Sequence, residues 1–187
     1  MLFRSHKGLY GPQGTGVLLC GEAKTEPLLE GGTGSLSVQQ EMPEFLPDRL
    51  EAGTQNVCGA AGLLAGMEFV TKRGIERIGR HEQILCHYLA DRLNKTPEIQ
   101  VFSGESQSGV LSFRIHGMDS ELVGDLLGKR GIAVRAGLHC APLAHKTAGT
   151  LDSGTVRVSF SAFNQMEHAE RAAKIICRIA SEGRAQS

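Results

Sequence analysis

Tryptophan is absent from this sequence, and aromatic residues make up only 5% of its 187 positions. An excess of one charge sign is lacking too: 20 basic and 20 acidic side chains leave a formal net charge of zero. Binding to nucleic acid or to a polybasic membrane site relies on clustered Lys and Arg, so neither is expected. No apolar run reaches the length needed to cross a bilayer. The opening MLFRSHKG turns polar too soon for a secretory leader, and the expectation is a soluble cytoplasmic protein. CxxC pairs are missing as well. Cys20, Cys58, Cys86, Cys140 and Cys177 are widely spaced and odd in number, which fits free thiols in a reducing compartment better than a disulfide scaffold or a zinc site. There is no internal repeat and no low-complexity segment.

What is present is a globular composition, 41% apolar and 21% charged, with 24 glycines gathered where sharp turns are expected. Residues 8–16 read as a loop punctuated by Gly11-Pro12 and Gly14, and Gly16–Cys20 as a short buried strand. Residues 30–35 form a glycine-rich loop, and Pro43 and Pro47 argue against helix over 35–50. The polar cluster Gly53-Thr54-Gln55-Asn56 introduces a helix of Ala, Gly and Leu over 57–70 that ends near Gly74. A second helix is predicted over 75–94. It carries a mostly apolar stripe of Ile78, His81, Ile84, Leu85, Tyr88, Leu89 and Arg92. Strands follow at 99–102, 110–115, 132–135 and 155–160, helices at 120–129 and 166–182, and a loop at 137–149. The pattern predicts 76–187 to be an α+β domain with helices on one side of a sheet. Residues 1–75, with one clear strand and one clear helix, hold too little for a core of their own.

Several side chains in these elements can carry chemistry. Lys7 would ordinarily be a solvated surface charge, yet His6 beside it and the glycines after it suit a Schiff-base lysine. Cys140 has His139 adjacent and Arg135 five residues earlier, in a predicted loop, a setting that favours the reactive thiolate. Cys20 ends an apolar strand, and Cys86 and Cys177 fall in helices, so these read as small core or interface residues. His139, Cys140 and His145 lack the further ligand that a metal site needs, and no metal is expected. Arg157 lies in a mostly apolar strand and needs either an internal carboxylate or that of a ligand. The stretch Glu51–Asn56 before a helix serves either to cap it or to bind phosphate at its start.

The order of the blocks is more telling than any one of them. Ser5-His6-Lys7 with Gly11-Pro12, Gly14 and Gly16 comes first, then Gly31-Gly32-Thr33, then Arg49 and Glu51–Asn56. Arg135-Ala136-Gly137 with His139-Cys140-Ala141 follows, and last Val156–Phe160 with Phe163-Asn164. Over nearly its whole length the chain resembles the C-terminal half of class V aminotransferases, and within them the cysteine desulfurases. The resemblance implies the C-terminal part of the large domain of a fold type I, pyridoxal phosphate-dependent α/β enzyme over residues 1–75, followed by the small α+β domain over 76–187. It implies that Lys7 carries pyridoxal 5'-phosphate, with His6 near its phosphate. Thr54 would reach the cofactor phosphate of the other subunit in a homodimer. Arg157 would hold the substrate carboxylate, with Arg135 nearby. Cys140 would take sulfur from L-cysteine as a persulfide, leaving alanine, for delivery to a sulfur-acceptor protein.

Ordinary class V aminotransferases do not need that cysteine, so an aminotransferase or lyase acting on a small amino acid is the alternative activity. The family's N-terminal half, with the groups that stack on the cofactor ring and pair with its nitrogen, has no counterpart in these residues. The expectation is therefore a C-terminal half that is inactive alone, or a non-catalytic fragment that associates with a partner. Ser5 stands one position away from the hydroxyl residue the family places ahead of its His-Lys pair, and could replace it.

Overall fold

A computed structural model describes residues 1–21, 25–104 and 107–184, with the Arg184 side chain left out. The chain divides into two compact units, Met1–Gly74 and Ile75–Ser187. Among the described residues no helix is long and apolar enough to cross a membrane.

The first unit holds an antiparallel ribbon of β1 (Leu2–Arg4) and β2 (Gly16–Leu18), a 3₁₀ turn at Asp48–Leu50, and α1 (Val57–Arg73). Asn56 caps α1 through its side-chain oxygen, which accepts from Gly59 N–H at 2.9 Å, and Gly74 ends it with φ +88°. The small residues of α1 serve close approach. A Cβ at Gly66 would lie 2.3 Å from the Leu9 carbonyl oxygen, one at Gly62 3.0 Å from Pro12, and one at Gly59 2.3 Å from Thr15. The loop of residues 9–15 therefore lies backbone-first along a glycine stripe, and the Tyr10 and Phe69 rings meet edge-on at 5.2 Å beside it.

Two expectations fail in this unit. The strand at Gly16 is shorter than the sequence suggested and is not buried: Leu18 and Leu19 are half exposed and Cys20 is exposed. Its partner, residues 2–4, carried no strand signal. Both outcomes follow from a two-stranded ribbon, in which neither strand is enclosed by neighbours.

The second unit is a four-stranded antiparallel sheet in the order β3-β4-β6-β5, with β3 at Ile99–Phe102, β4 at Val110–Ile115, β5 at Arg135–Gly137 and β6 at Thr155–Ser159. Helices α2 (Ile75–Leu93), α3 (Ser120–Lys129) and α5 (Met166–Arg184) supply the rest of its core. Alternation sets the faces. Leu111, Phe113 and Ile115 of β4 and Val156 and Val158 of β6 point into a core shared with Leu85, Leu89 and Leu93 of α2 and Ile176 and Ile179 of α5. The residues between them, Ser112 and Arg157, lie on the opposite face as a cross-strand pair.

The predicted stripe of α2 is displaced at Ile84, which is 52% exposed, while Cys86, Ala90 and Leu93 occupy buried positions. The third sheet strand starts at Arg135 rather than at Ile132, and the predicted loop 137–149 contains a short helix α4, Pro142–Thr147. Ile132 is drawn back to α3 by its N–H, which donates to the Leu127 carbonyl at 3.0 Å, so the ladder cannot begin there. α4 has Pro at its first position and no side-chain cap at Ala141, which leaves little to read in the sequence.

Candidate active site

The sheet face opposite the helical core carries the most chemically loaded residues. Arg135 of β5 and Arg157 of β6 are directly opposite each other in the ladder. Cβ atoms so placed are about 5 Å apart, where like charges repel. Among the described residues neither guanidinium has a carboxylate partner. Arg157 Nε is buried with no hydrogen-bond partner at all. A buried N–H left unmade costs about 1–3 kcal/mol. Two opposed cations and an orphaned donor together describe a place prepared for an anion.

Cys140 joins them. Arg135 Nη2 donates to Cys140 Sγ at 3.6 Å, and the thiol is exposed. Residues 138–141 form a tight turn closed by Ala141 N–H donating to the Leu138 carbonyl at 2.9 Å. Both central residues have positive φ, +54° at His139 and +60° at Cys140. For residues with a Cβ this costs roughly 1–2 kcal/mol each. His139 Nε2 lies 3.0 Å from Thr155 Oγ1, and its Nδ1 is buried without a partner. The His139 pKa is lowered from 6.5, first by burial and then by the charges of Arg157, His145 and Arg135. The His145 ring is 5.6 Å from that of His139, and its Nδ1 meets Thr150 Oγ1 at 2.8 Å. Among the described residues no group of three or more His, Cys, Asp or Glu side chains is placed to hold a metal ion.

Lys7, His6 and Thr54 belong to the first unit. Lys7 is exposed at the start of the tight turn that Tyr10 N–H closes on the Lys7 carbonyl at 3.0 Å, and His6 is exposed just before it. The Lys7 amine has no hydrogen bond or ion pair among the described residues. Thr54 is exposed just after Gly53, whose φ is +84°, and the helix cap is supplied by Asn56. The Thr54 hydroxyl makes no hydrogen bond among the described residues. Ser5 is fully buried, and its hydroxyl bonds the Pro12 carbonyl and Thr15 Oγ1, so it fastens the loop and is not presented to a ligand.

Thr155 escaped the sequence reading. Its signal was its position two residues before Arg157 in one strand, which places both side chains on one face.

Residues 1–171 match the family model for class V aminotransferases. The chain belongs to the class V aminotransferase family. Within that family it is similar to a probable cysteine desulfurase of Mycobacterium leprae, at 36% identity over 97% of this chain and 30% of that protein. It is 35% identical to a cysteine desulfurase of Salmonella agona, over 95% of this chain and 45% of the relative. Among solved structures, the apo cysteine desulfurase of Thermococcus onnurineus superposes with a TM-score of 0.86 at 32% identity, over 97% of this chain and 46% of that one. A cysteine desulfurase of Escherichia coli, in an S-sulfonic acid form, gives 0.84 at 31% identity, over 97% and 45%.

This class V chain spans less than half the length of each of these proteins. Its mixed helix and sheet is the expected fold type I fragment, cysteine desulfurase-like. Membership of the class V family implies pyridoxal phosphate. The donors on the Lys7 turn fit that group: an unengaged primary amine suits its aldehyde, and the adjacent imidazole is exposed beside it.

Proposed function

We propose that this chain carries the lysine, the thiol and the carboxylate-binding arginines of a cysteine desulfurase, an enzyme that takes sulfur from L-cysteine and leaves alanine. The observation that carries the reading is the unpaired Arg135–Arg157 couple with the Cys140 thiol on it. An amino-acid carboxylate satisfies the orphaned Arg157 Nε and offsets the repulsion between the guanidinium groups. The exposed turn presents Cys140 Sγ to the substrate sulfur. A sulfur–sulfur bond forms to Cys140 as the substrate's Cβ–Sγ bond breaks, and the electron pair left on Cβ takes a proton to give alanine. Lys7 and His6 would hold pyridoxal phosphate, which when bound supplies an electron sink for charge developing on the substrate carbons. Thr54, left unused by the helix cap, would donate to a phosphate, that of a second subunit in a homodimer. A cytoplasmic setting and a protein acceptor for the sulfur belong to the same reading.

We assign turnover to these residues acting with the remaining length seen in the relatives, and little or none to the 187-residue chain alone. Titration of the purified chain with pyridoxal phosphate tests the lysine. The expected result is a visible absorption band that borohydride fixes on residue 7 and that Lys7→Ala abolishes. Incubation with cysteine, alone and with added protein carrying the remaining length, tests the thiol. Persulfide on Cys140 and equimolar alanine, both lost in Cys140→Ser, are expected. Keto-acid formation without persulfide would replace the reading with a class V aminotransferase.

A further inference from the structure

The turn that bears Cys140 is built against its own sequence. A four-residue turn with positive φ at both central positions is normally made from Asn-Gly, Asp-Gly or Gly-Gly. Here those positions are His139 and Cys140, at +54° and +60°. Something outside the backbone has to hold them. Among the described residues, Cys140 Sγ has its hydrogen bond from the side chain of Arg135, which is itself exposed. His139 is tied more firmly. Its Nε2 meets Thr155 Oγ1 at 3.0 Å, and Thr155 is buried in β6 with its backbone paired to Gly137. The other ring nitrogen, Nδ1, has no partner, so Nε2 is the ring's hydrogen-bonded hold on the sheet.

We propose that the His139–Thr155 hydrogen bond is the clamp that keeps Cys140 in its left-handed turn against Arg135, which makes His139 and Thr155 positioning residues for the thiol. The inference rests on the reading of Cys140 as the sulfur-accepting residue. A thiol reacts as the thiolate, and a cation beside it favours that form. In the closed turn the Cys140 thiol is exposed and held 3.6 Å from Arg135 Nη2, and a turn that relaxes loses that fixed presentation to an incoming electrophile. The clamp acts on φ at His139, so a residue that tolerates positive φ without a ring should restore what the lost ring took away.

The test is the rate of Cys140 alkylation by iodoacetamide at pH 7, resolved by mass spectrometry on the whole chain. The exposed Cys20 and Cys58 serve as internal references. His139→Ala and Thr155→Val should each slow Cys140 by about threefold to tenfold, and the double variant no further, since the two act through one bond. Thr155→Ser and His139→Gly should both return the rate close to the original. Unchanged rates in His139→Ala, multiplied effects in the double variant, or His139→Gly as slow as His139→Ala would each overturn the clamp. Thr155 is buried, so far-UV circular dichroism accompanies Thr155→Val. If that variant fails to fold, the contrast between His139→Ala and His139→Gly decides alone. Alkylation does not depend on sulfur transfer. An unaffected persulfide yield in Cys140→Ser would remove the role of Cys140 and leave the clamp measurement standing.

Discussion

Arg157 sits where its side chain works against the fold. Its Nε is buried and unmatched, and it faces a second guanidinium across the ladder. Replacing it with an apolar side chain of similar length removes both costs, so Arg157→Met should raise stability by about 1 kcal/mol in urea unfolding while destroying carboxylate binding. Loss of stability would show that the arginine holds the sheet together. His139 gives a pH signature. Its pKa is lowered from 6.5 in the folded chain, so the unfolded state takes up the proton first. Stability should be level above about pH 6.5 and fall as the pH drops below it toward the depressed folded value, and His139→Gln should flatten that fall. Cys86 is buried where Cys140 is exposed: burial pushes the Cys86 pKa up to about 11, so it should stay unalkylated at pH 8 until denaturant is added.

At the level of elements, the glycine stripe of α1 is the sharpest case. Gly66→Ala would drive a Cβ into the Leu9 carbonyl, 2.3 Å away, and backbone cannot rotate aside as a side chain can. We expect a loss of roughly 1–3 kcal/mol and a displaced Lys7 turn, seen as weaker pyridoxal phosphate uptake. The long helices and the β4 alternation were legible because a single face is buried and the period shows it. The residue types proposed for the candidate site were read from the sequence too. Its geometry was not. That Arg135 opposes Arg157 depends on the register of two strands separated by a loop and a short uncapped helix, and the sequence placed β5 three residues early. Nor could it show that Asn56 takes the helix cap and leaves Thr54 free, since both residue types cap well. Ribbon β1–β2 was illegible for another reason: its exposed strands bury no face to leave a pattern.

Taken whole, the molecule is uneven. The second unit encloses Phe113, Leu85, Leu89, Leu93, Leu111 and Ile176, all nearly inaccessible, in one cluster. In the first unit Leu28 and Val38 are almost fully exposed and the buried apolar side chains are few. Hydrogen exchange should follow that division, with amides of α2, β4 and α5 slowest and those of residues 25–56 fastest. Phe113→Ala should cost about 3–5 kcal/mol in the second unit's unfolding. Equal exchange rates across both units would contradict the reading of where the stability lies.

The order β3-β4-β6-β5 also decides how the protein can be handled. The borders of the sheet are β3 and β5, three strand spacings or about 14 Å apart, and the thiol hangs from β5. Lys95 is exposed in the turn that leads into β3. An immobilising group or a fluorophore placed there would grip the sheet by the border away from Cys140, leaving the sulfur accessible to any acceptor brought to the surface.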